Sequence, residues 1–196
     1  MKKIAESAKR NCCLYVLNIP TNGSNPGRIL KKAKRIAALG IPRTIVTISL
    51  DGPEEFHDSQ RGAKGAFKKS LKCFALLKTL ENDFSNFRCL FEFTISPYNF
   101  GLFEETLKGA NTRVGCTEKD FQFTLFHISE NFYANKELDS EYSNFAKNAH
   151  KEAAEIRKKL TFSLSSEYLL KRIYLSLIEP GLKNPLHCGA ANNSIF

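Results

Sequence analysis

The sequence predicts an α/β protein in which four strand-then-helix units build a parallel sheet. Short apolar or β-branched runs begin near residues 14, 44, 88 and 121, and segments with apolar residues at helical spacing separate them. The intervals far exceed the roughly two to five residues of a hairpin loop. The strands are therefore expected to be parallel, in either a doubly wound open sheet or an arc of a β/α barrel.

The first unit is expected to pair a buried strand at residues 14–19 with a helix at residues 28–39. The strand LYVLNI is apolar and is followed by Pro20 and the turn signal Thr21-Asn22-Gly23. In the helix, apolar residues recur every three or four positions, and Gly40 lies where a helix end favours a left-handed residue.

The second unit begins with TIVTISL at residues 44–50, which is the most β-branched run of the chain and predicts a strand. A polar loop is expected over residues 51–62. The helix that follows is expected to end near Glu81, and it is marked by Phe67, Leu71, Phe74, Leu77 and Leu80.

The remaining elements follow the same logic. FRCLFEFTI at residues 87–95 predicts a strand with its apolar residues on one face, and residues 102–107 predict a short helix. Residues 121–128 predict the fourth strand. Two longer helices are expected to follow, around residues 145–160 and 168–177. The first is marked by Phe145, Ala149, Ala153, Ile156 and Leu160, and the second by Tyr168, Leu169, Ile173 and Leu177.

Length and composition fit one main domain in a soluble, cytoplasmic chain. The chain has 196 residues, of which 42% are hydrophobic and 25% charged. Its N-terminus is polar, and no run approaches the roughly 18 apolar residues that a membrane span needs.

The net charge of +9 arises in the first quarter of the chain. Residues 1–50 hold ten Lys and Arg residues against the single acid Glu6. Such asymmetry can mark a nucleic-acid surface, but around residues 28–39 the basic residues interleave with apolar ones at helical spacing. A solvated helix face is the favoured interpretation, and no nucleic-acid partner is expected.

The six cysteines do not predict a metal site. They are Cys12, Cys13, Cys73, Cys89, Cys116 and Cys188, and they show no C-x2-C spacing. Cys73 and Cys89 fall within apolar patterns, where a thiol usually serves as a small hydrophobic residue.

Polar residues crowd the predicted carboxyl ends of the strands, where α/β folds collect ligand groups. These ends are residues 21–23, 49–52, 96–99 and 127–131. Thr21-Asn22-Gly23 can equally be a structural turn. Ser49 and Asp51 are a sharper candidate because residues two apart leave the same face of a strand.

Arg61 follows Ser49 by twelve residues, just before a predicted helix. It can clamp a carboxylate bidentately or pair with a nearby acid, Glu54, Glu55 or Asp58. For His57 and His127, a hydrogen-bonded structural role is favoured over catalysis or metal binding, because neither has ligand spacing. No common catalytic or phosphate-binding signature is present.

Residues 44–67, TIVTISLDGPEEFHDSQRGAKGAF, resemble the fourth-strand segment of radical S-adenosylmethionine (radical SAM) enzymes with a C-terminal auxiliary-cluster (SPASM) region. The strands around residues 14–23, 94–99 and 121–129 are similar to the third, fifth and sixth strands of that family. Residues 185–196 are similar to the start of the auxiliary-cluster region. The resemblance covers residues 14–196. It implies a partial TIM-like (β/α)6 barrel over residues 1–178, followed by a truncated auxiliary-cluster region at residues 179–196.

The resemblance also implies roles for individual residues. Ser49 would hydrogen-bond the ribose of S-adenosylmethionine, Arg61 would hold its methionine carboxylate, and Leu125 would line the adenine site. The implied activity is hydrogen abstraction by a 5′-deoxyadenosyl radical, from a peptide, protein or small-metabolite substrate.

Four further residues are assigned by the same resemblance. Asp51, Asn99 and His127 would face the reaction chamber, and Cys188 would be the first cysteine ligand of the auxiliary cluster.

The chain departs from the family in two ways. It lacks the C-x3-C-x2-C loop, which binds the [4Fe-4S] cluster in the family. It also lacks the Gly-Gly-Glu strand, which binds the amino group, and both segments would precede Met1. We therefore expect an internal piece of an enzyme, inactive in isolation. The alternative is a non-catalytic α/β module that binds a nucleotide-like ligand at its strand ends.

Overall fold

A computed structural model describes residues 2–126, 142–160, 162 and 166–177 of the chain. The chain divides into two units, Met1–His127 and Ile128–Phe196. The expected boundary between residues 178 and 179 lies outside the described residues.

Four strands form an all-parallel sheet in the order β1-β2-β3-β4. They are β1 (Val16–Thr21), β2 (Arg43–Ser49), β3 (Phe87–Ile95) and β4 (Phe121–Leu125). The α/β class, the parallel pairing and the four strand positions are as the sequence predicts. The strand order nowhere reverses.

Six helices and a 3-10 turn connect or precede these strands. The helices are α1 (Lys2–Asn11), α2 (Pro26–Ala37), α3 (Glu54–Gln60), α4 (Ala66–Lys78), α5 (Leu80–Asp83) and α6 (Phe103–Val114), and the 3-10 turn is Glu118–Asp120. Among the described residues, no helix has the length and apolarity needed to cross a membrane.

The core lies between the sheet and a single layer of helices. Alternate residues of β3, from Phe87 to Ile95, are fully buried on one face of the strand. On that face the ring of Phe91 stacks on Phe74 of α4 with centroids 4.2 Å apart, and Phe93 meets Phe103 of α6 at 5.4 Å. Helices α1, α2, α4 and α6 therefore share one side of the sheet.

Helix α2 shows the predicted division between a basic and an apolar face. Ala33, Ile36 and Ala37 are buried, whereas its lysines and arginines are exposed. The helix begins two residues before the predicted start because Pro26 occupies its first turn and the Asn25 side chain accepts a hydrogen bond from the Arg28 N–H. Gly40 has φ +64°, as expected for a left-handed residue after a helix.

Two helices were not predicted. Helix α1 buries little apolar surface, since Ala5 is its buried residue and Ile4 is exposed, so its periodicity is weak. Helix α3 occupies the segment that was expected to be a polar loop. Its first turn holds Glu54 and Glu55, whose charges favour the positive end of a helix dipole.

Two predicted boundaries also shift. Strand β1 is not buried as expected, since its residues alternate between exposed and half-buried, and it continues through Pro20, which the sequence suggested as its end. Proline is tolerated in an edge strand because the missing N–H faces away from the neighbouring strand. Helix α6 extends to Val114, well beyond the short helix predicted at residues 102–107.

In the second unit, two helices contact each other: α7 (Tyr142–Lys159) and α8 (Ser166–Leu177). Ala149, Ala153 and Ile156 are buried, as the predicted apolar face of α7 requires. The expected face of α8 is wrong at Leu169 and Ile173, which are about half exposed at 50% and 52%. Helix α8 carries more large apolar residues than one face needs, so periodicity alone does not identify its buried side.

Candidate functional site

The candidate residues of β2, β3 and the β2–α4 connection meet at the carboxyl edge of the sheet. Ser49 ends β2, Asp51 follows it by two residues, and Asn99 lies four residues beyond the end of β3. Arg61, just after α3, contacts Asp51. Leu125 ends β4 at the same edge and is half-buried. His127 and Cys188 lie outside the described residues.

Asp51 and Arg61 form the central ion pair of this edge. Asp51 is 8% exposed, and its Oδ2 lies 2.6 Å from Nη2 of Arg61 without hydrogen-bond alignment. The Arg61 side chain is about one third exposed, at 34%, so it can reach both this carboxylate and solvent. The pairing differs from the expected alternatives, in which Arg61 would pair with an acid of α3.

His57 fixes the backbone of the same turn. It is completely buried, and its Nδ1 accepts a hydrogen bond from the Asp51 N–H at 3.1 Å. Accepting at Nδ1 leaves the proton of a neutral ring on Nε2, which has no hydrogen-bond partner among the described residues. The Phe67 ring lies 6.2 Å from the imidazole in an edge-on arrangement. The hydrogen bond expected for a structural His57 is present.

Asn99 links the ends of β2 and β3. Its Nδ2 donates to the carbonyls of Asp51 and Thr94, both at 2.8 Å. Its Oδ1 accepts from the N–H and the hydroxyl of Ser96 at 2.8 and 3.0 Å. With 1% exposure, its amide is fully engaged inside the protein, so Asn99 positions the strand ends.

Two of the acids considered as partners for Arg61, Asp58 and Glu54, bind other groups. Asp58 accepts hydrogen bonds from the N–H groups of Gly65 and Phe67 at 2.5 and 2.8 Å, which caps helix α4. The bond from Phe67 is the largest cause that lowers the pKa of Asp58 below 3.8. Glu54 pairs with Lys68 at 3.1 Å and with Arg113 at 2.6 Å.

The Thr21-Asn22-Gly23 segment packs tightly against helix α4. Gly23 has φ +69°, and a Cβ built there would lie 2.9 Å from the Cα of Ser70. The Ser70 hydroxyl donates to the Asn22 carbonyl at 3.4 Å. Of the two interpretations of this segment, these contacts favour the structural turn.

The face of the sheet away from the helices carries a polar row that the sequence analysis missed. The register places Ser49, Glu92 and Gln122 side by side on β2, β3 and β4. All three are half-buried, and their side chains make no hydrogen bond or ion pair within the described part of the chain. The signal was available, since Glu92 alternates with the buried phenylalanines of β3.

One step closer to the carboxyl edge, the next row of this face is also polar. The hydroxyls of Thr94 and Thr124 lie 3.1 Å apart and form a hydrogen bond. Toward the opposite edge the face is mixed, since Leu90 lies beside Thr47, and Ile45 lies between Asn18 and Arg88. The two rows nearest the carboxyl ends of β3 and β4 hold polar residues alone.

The described cysteines do not form a cluster-binding set. Cys73, Cys89 and Cys116 are buried, and no group of three or more His, Cys, Asp or Glu residues suited to a metal ion is found among the described residues. Burial raises the pKa of the Cys73 thiol to about 11 and that of Cys116 to about 12. Iron–sulfur clusters are held by thiolates, which such burial disfavours.

No family model, curated protein or solved structure matches this chain.

Proposed function

We propose that the chain is a segment of a radical SAM enzyme that binds S-adenosylmethionine at the carboxyl edge of its sheet. The observation that carries the proposal is the position of Arg61. Its guanidinium lies beside Asp51 at the end of β2, the strand that Ser49 terminates. A hydroxyl and a guanidinium at one strand end suit a ligand that joins a sugar to a carboxylate.

The sheet topology gives further support to a barrel arc. Helices α2, α4 and α6 lie on one side of a sequentially ordered parallel sheet, and a doubly wound sheet would divide its helices between both faces. The other face would then form the inner wall of a partial barrel. The two rows of this face nearest the carboxyl ends of β3 and β4 hold only polar residues, at the end where barrel enzymes bind their substrates.

Arg61 would have to serve two carboxylates. A guanidinium carries five N–H donors in a planar fork, so it can keep Asp51 on one side and receive the ligand carboxylate on the other. Asp51 then holds Arg61 in place, and the partly exposed position of Arg61 leaves room for the second contact.

The described residues do not fit a [4Fe-4S] cluster. Three of the described cysteines are buried with raised thiol pKa values, and Cys12 and Cys13 form an exposed adjacent pair. We therefore assign no step of the reaction to residues of this segment. The cluster ligands would come from sequence beyond it, and the segment alone would be inactive.

The alternative is a binding module that holds a nucleotide-like ligand at the strand ends without chemistry. The lack of a cluster-binding set among the described residues favours it. The two functions share the ligand site but differ in the need for upstream cysteines.

Ligand titration tests the proposed site. Calorimetry with S-adenosylmethionine and with methylthioadenosine, which lacks the carboxylate, should show tighter binding of S-adenosylmethionine. Arg61→Met is expected to reduce that preference by about tenfold or more, because the substitution removes a charge-assisted hydrogen bond to the ligand carboxylate. Arg28→Met, on the exposed side of α2, is the control. Equal affinities for both ligands would count against the proposal.

The reading frame upstream of the segment separates the two functions. An in-frame C-x3-C-x2-C would identify the enzyme. After anaerobic reconstitution with iron and sulfide, this chain alone is expected to hold no stable four-iron cluster. Stoichiometric iron and cluster absorbance that survive desalting would contradict the assignment of the ligands to other sequence.

A further inference from the structure

We propose that the cleft between helices α1 and α2 binds a phosphate group that carries two negative charges. The cleft is lined by Lys2, Lys32, Arg35 and Ile36, and its volume is about 180 Å³. None of these residues belongs to the carboxyl edge of the sheet, so the inference goes beyond the proposed function. The phosphate group could come from free inorganic phosphate or from a small phosphate monoester.

Helix α1 is fixed against α2, so the cleft lies between two packed elements. Ala5 of α1 belongs to one buried cluster with Ile36 and Ile41. The Lys9 ammonium of α1 donates a hydrogen bond to the Leu39 carbonyl, just beyond the end of α2, at 2.5 Å. These contacts hold the basic side chains of the two helices on one surface of the first unit.

Helix α2 brings like charges together without an acid of its own to compensate them. Lys32 lies three residues before Arg35, and Lys31 lies four residues before it, so these side chains are neighbours on the helix surface. Like charges at this spacing destabilise a helix. Within the described part of the chain, none of the three forms an ion pair with an acid. A bound anion would relieve this repulsion.

The charge of the cleft matches that of a phosphate monoester. Three cationic side chains line the cleft, and the carboxylate of Glu6 lies 3.3 Å from one of them, Lys2. Three positive charges less one negative charge leave a net charge of +2. A phosphate monoester carries about −1.5 to −2 at pH 7. A carboxylate or a phosphodiester carries a single negative charge, so each would neutralise half of the cleft.

The size and lining of the cleft favour one small charged group. Pockets that enclose a drug-sized ligand measure roughly 300 to 1,000 Å³, which is more than this cleft offers. The guanidinium of Arg35 presents a planar fork of donors to phosphate oxygens, and each lysine ammonium presents three N–H donors. The four lining residues include no aromatic ring on which a nucleic-acid base could stack. A small phosphate is therefore favoured over a nucleic acid.

NMR titration of the chain with inorganic phosphate tests the cleft. The ionic strength is held at about 0.15 M, so that screening of the surface charges stays constant. The wild type is expected to show saturable shifts of amide signals in α1 and α2. It should bind inorganic phosphate at least about tenfold more tightly than dimethyl phosphate, which carries one charge. Lys32→Met should weaken phosphate binding by about tenfold, because it removes a charge-assisted hydrogen bond.

Lys34→Met is the matched control, because it removes the same charge from the same helix. Lys34 does not line the cleft and lies 3.8 Å from Asp83. Its substitution should change the phosphate affinity by less than about twofold. Thermal melts of both variants establish that they are folded. Glycerol 3-phosphate forms a second arm: tighter binding than inorganic phosphate would assign the cleft to a monoester, and equal or weaker binding would assign it to free phosphate.

Three results would overturn the inference. Phosphate that fails to saturate the wild-type chain would exclude the site. Equal losses in Lys32→Met and Lys34→Met would show that binding depends on overall charge. Binding of a single-stranded oligonucleotide without terminal phosphates, which inorganic phosphate does not displace, would assign the basic surface to nucleic acid. The titration of S-adenosylmethionine remains a separate test, since Arg61 does not line the cleft.

Discussion

Asn99 illustrates how one side chain organises the candidate site. Its four hydrogen bonds join the carbonyl after β2, the carbonyl of Thr94 and both polar groups of Ser96. Because the residue is buried, each of these bonds is protected from competition with water. Asn99 thus holds the backbone after β2, at Asp51, at a fixed distance from the end of β3, at Thr94.

Replacing Asn99 with Asp should therefore destabilise the fold. The substitution removes both N–H donors and places a carboxylate against two carbonyl oxygens. We expect a loss of about 2 to 4 kcal/mol in the free energy of unfolding, measured with urea, since each buried unsatisfied group costs about 1 to 3 kcal/mol. Asn82→Asp, at an exposed position, should change it by less than about 0.5 kcal/mol. A similar effect at both positions would show that the Asn99 network is unimportant.

Two glycines provide a second test at the level of single residues. Gly23 has φ +69° and lies against the backbone of α4, whereas a Cβ added to Gly27 in α2 would have no neighbouring atom within 4 Å. Gly23→Ala should lower the free energy of unfolding by at least about 1 to 2 kcal/mol, because alanine is strained in a left-handed conformation. The close contact of the added Cβ with Ser70 should increase this loss. Gly27→Ala should stabilise α2 by about 0.5 to 1 kcal/mol.

In urea unfolding, the free energy of unfolding is therefore expected to fall for Gly23→Ala and to rise for Gly27→Ala. A neutral Gly23→Ala would mean that the segment after β1 can move away from α4. The tight packing assigned to the turn would then be wrong.

At the level of elements, the start of α4 depends on a distant carboxylate. Asp58 lies within α3 yet caps α4, because its carboxylate accepts hydrogen bonds from the N–H groups of Gly65 and Phe67. Gly65 precedes α4 with φ +81°, and its lack of a side chain leaves capping to Asp58. Helices α3 and α4 are joined through this carboxylate.

This cap predicts a pH-dependent contribution to stability. The pKa of Asp58 is lowered from 3.8, first by the hydrogen bond from Phe67, so the folded state binds its proton more weakly than the unfolded state does. The stabilisation is therefore complete above pH 3.8 and is lost as the pH falls through the lower, folded value. At pH 6, Asp58→Ala should cost about 1 kcal/mol, as loss of a helix cap does.

Denaturant titrations of the wild type and Asp58→Ala over pH 2–6 test this cap. The difference between the two proteins should shrink toward the acid end. Asp83→Ala removes an exposed carboxylate 3.8 Å from Lys34 and should have little effect at any pH. A difference at Asp58 that does not vary with pH would contradict the ionised cap.

For the molecule as a whole, β1 is an edge strand of the described sheet. Tyr15 and Val16 at its start are 70% and 44% exposed. Exposed edge strands with apolar side chains can pair with other chains. We therefore expect the chain to self-associate through this edge of the sheet.

Val16→Lys should reduce self-association, because an edge lysine opposes pairing between chains. Sedimentation velocity over a range of protein concentrations would measure the change. Ile4→Lys, on the exposed face of α1, is the control for added charge at a more exposed apolar residue. If both substitutions reduce association equally, the effect comes from net charge and β1 is not the contact. A wild-type chain that stays monomeric throughout would contradict the expected association.

The sequence by itself determined the α/β class and the buried face of β3. The reason is that strand and helix periodicities depend on local chain geometry, as the alternation in β3 shows. It also placed Ser49, Asp51, Arg61 and Asn99 near one edge, since the carboxyl ends of sequential parallel strands lie together. Helix α3 was missed because it is only seven residues long and packs against α4, a contact that local sequence does not indicate.

Only the tertiary structure decided which polar groups are free. Arg61 pairs with Asp51, Asn99 is fully hydrogen-bonded, and Glu92 lies beside Ser49 without a partner among the described residues. These facts depend on the register between strands and on contacts between residues 10 to 48 positions apart, which local pattern does not encode. Side-chain pairing is settled only when the strands are aligned, and so the polar row of Ser49, Glu92 and Gln122 became visible in the folded chain alone.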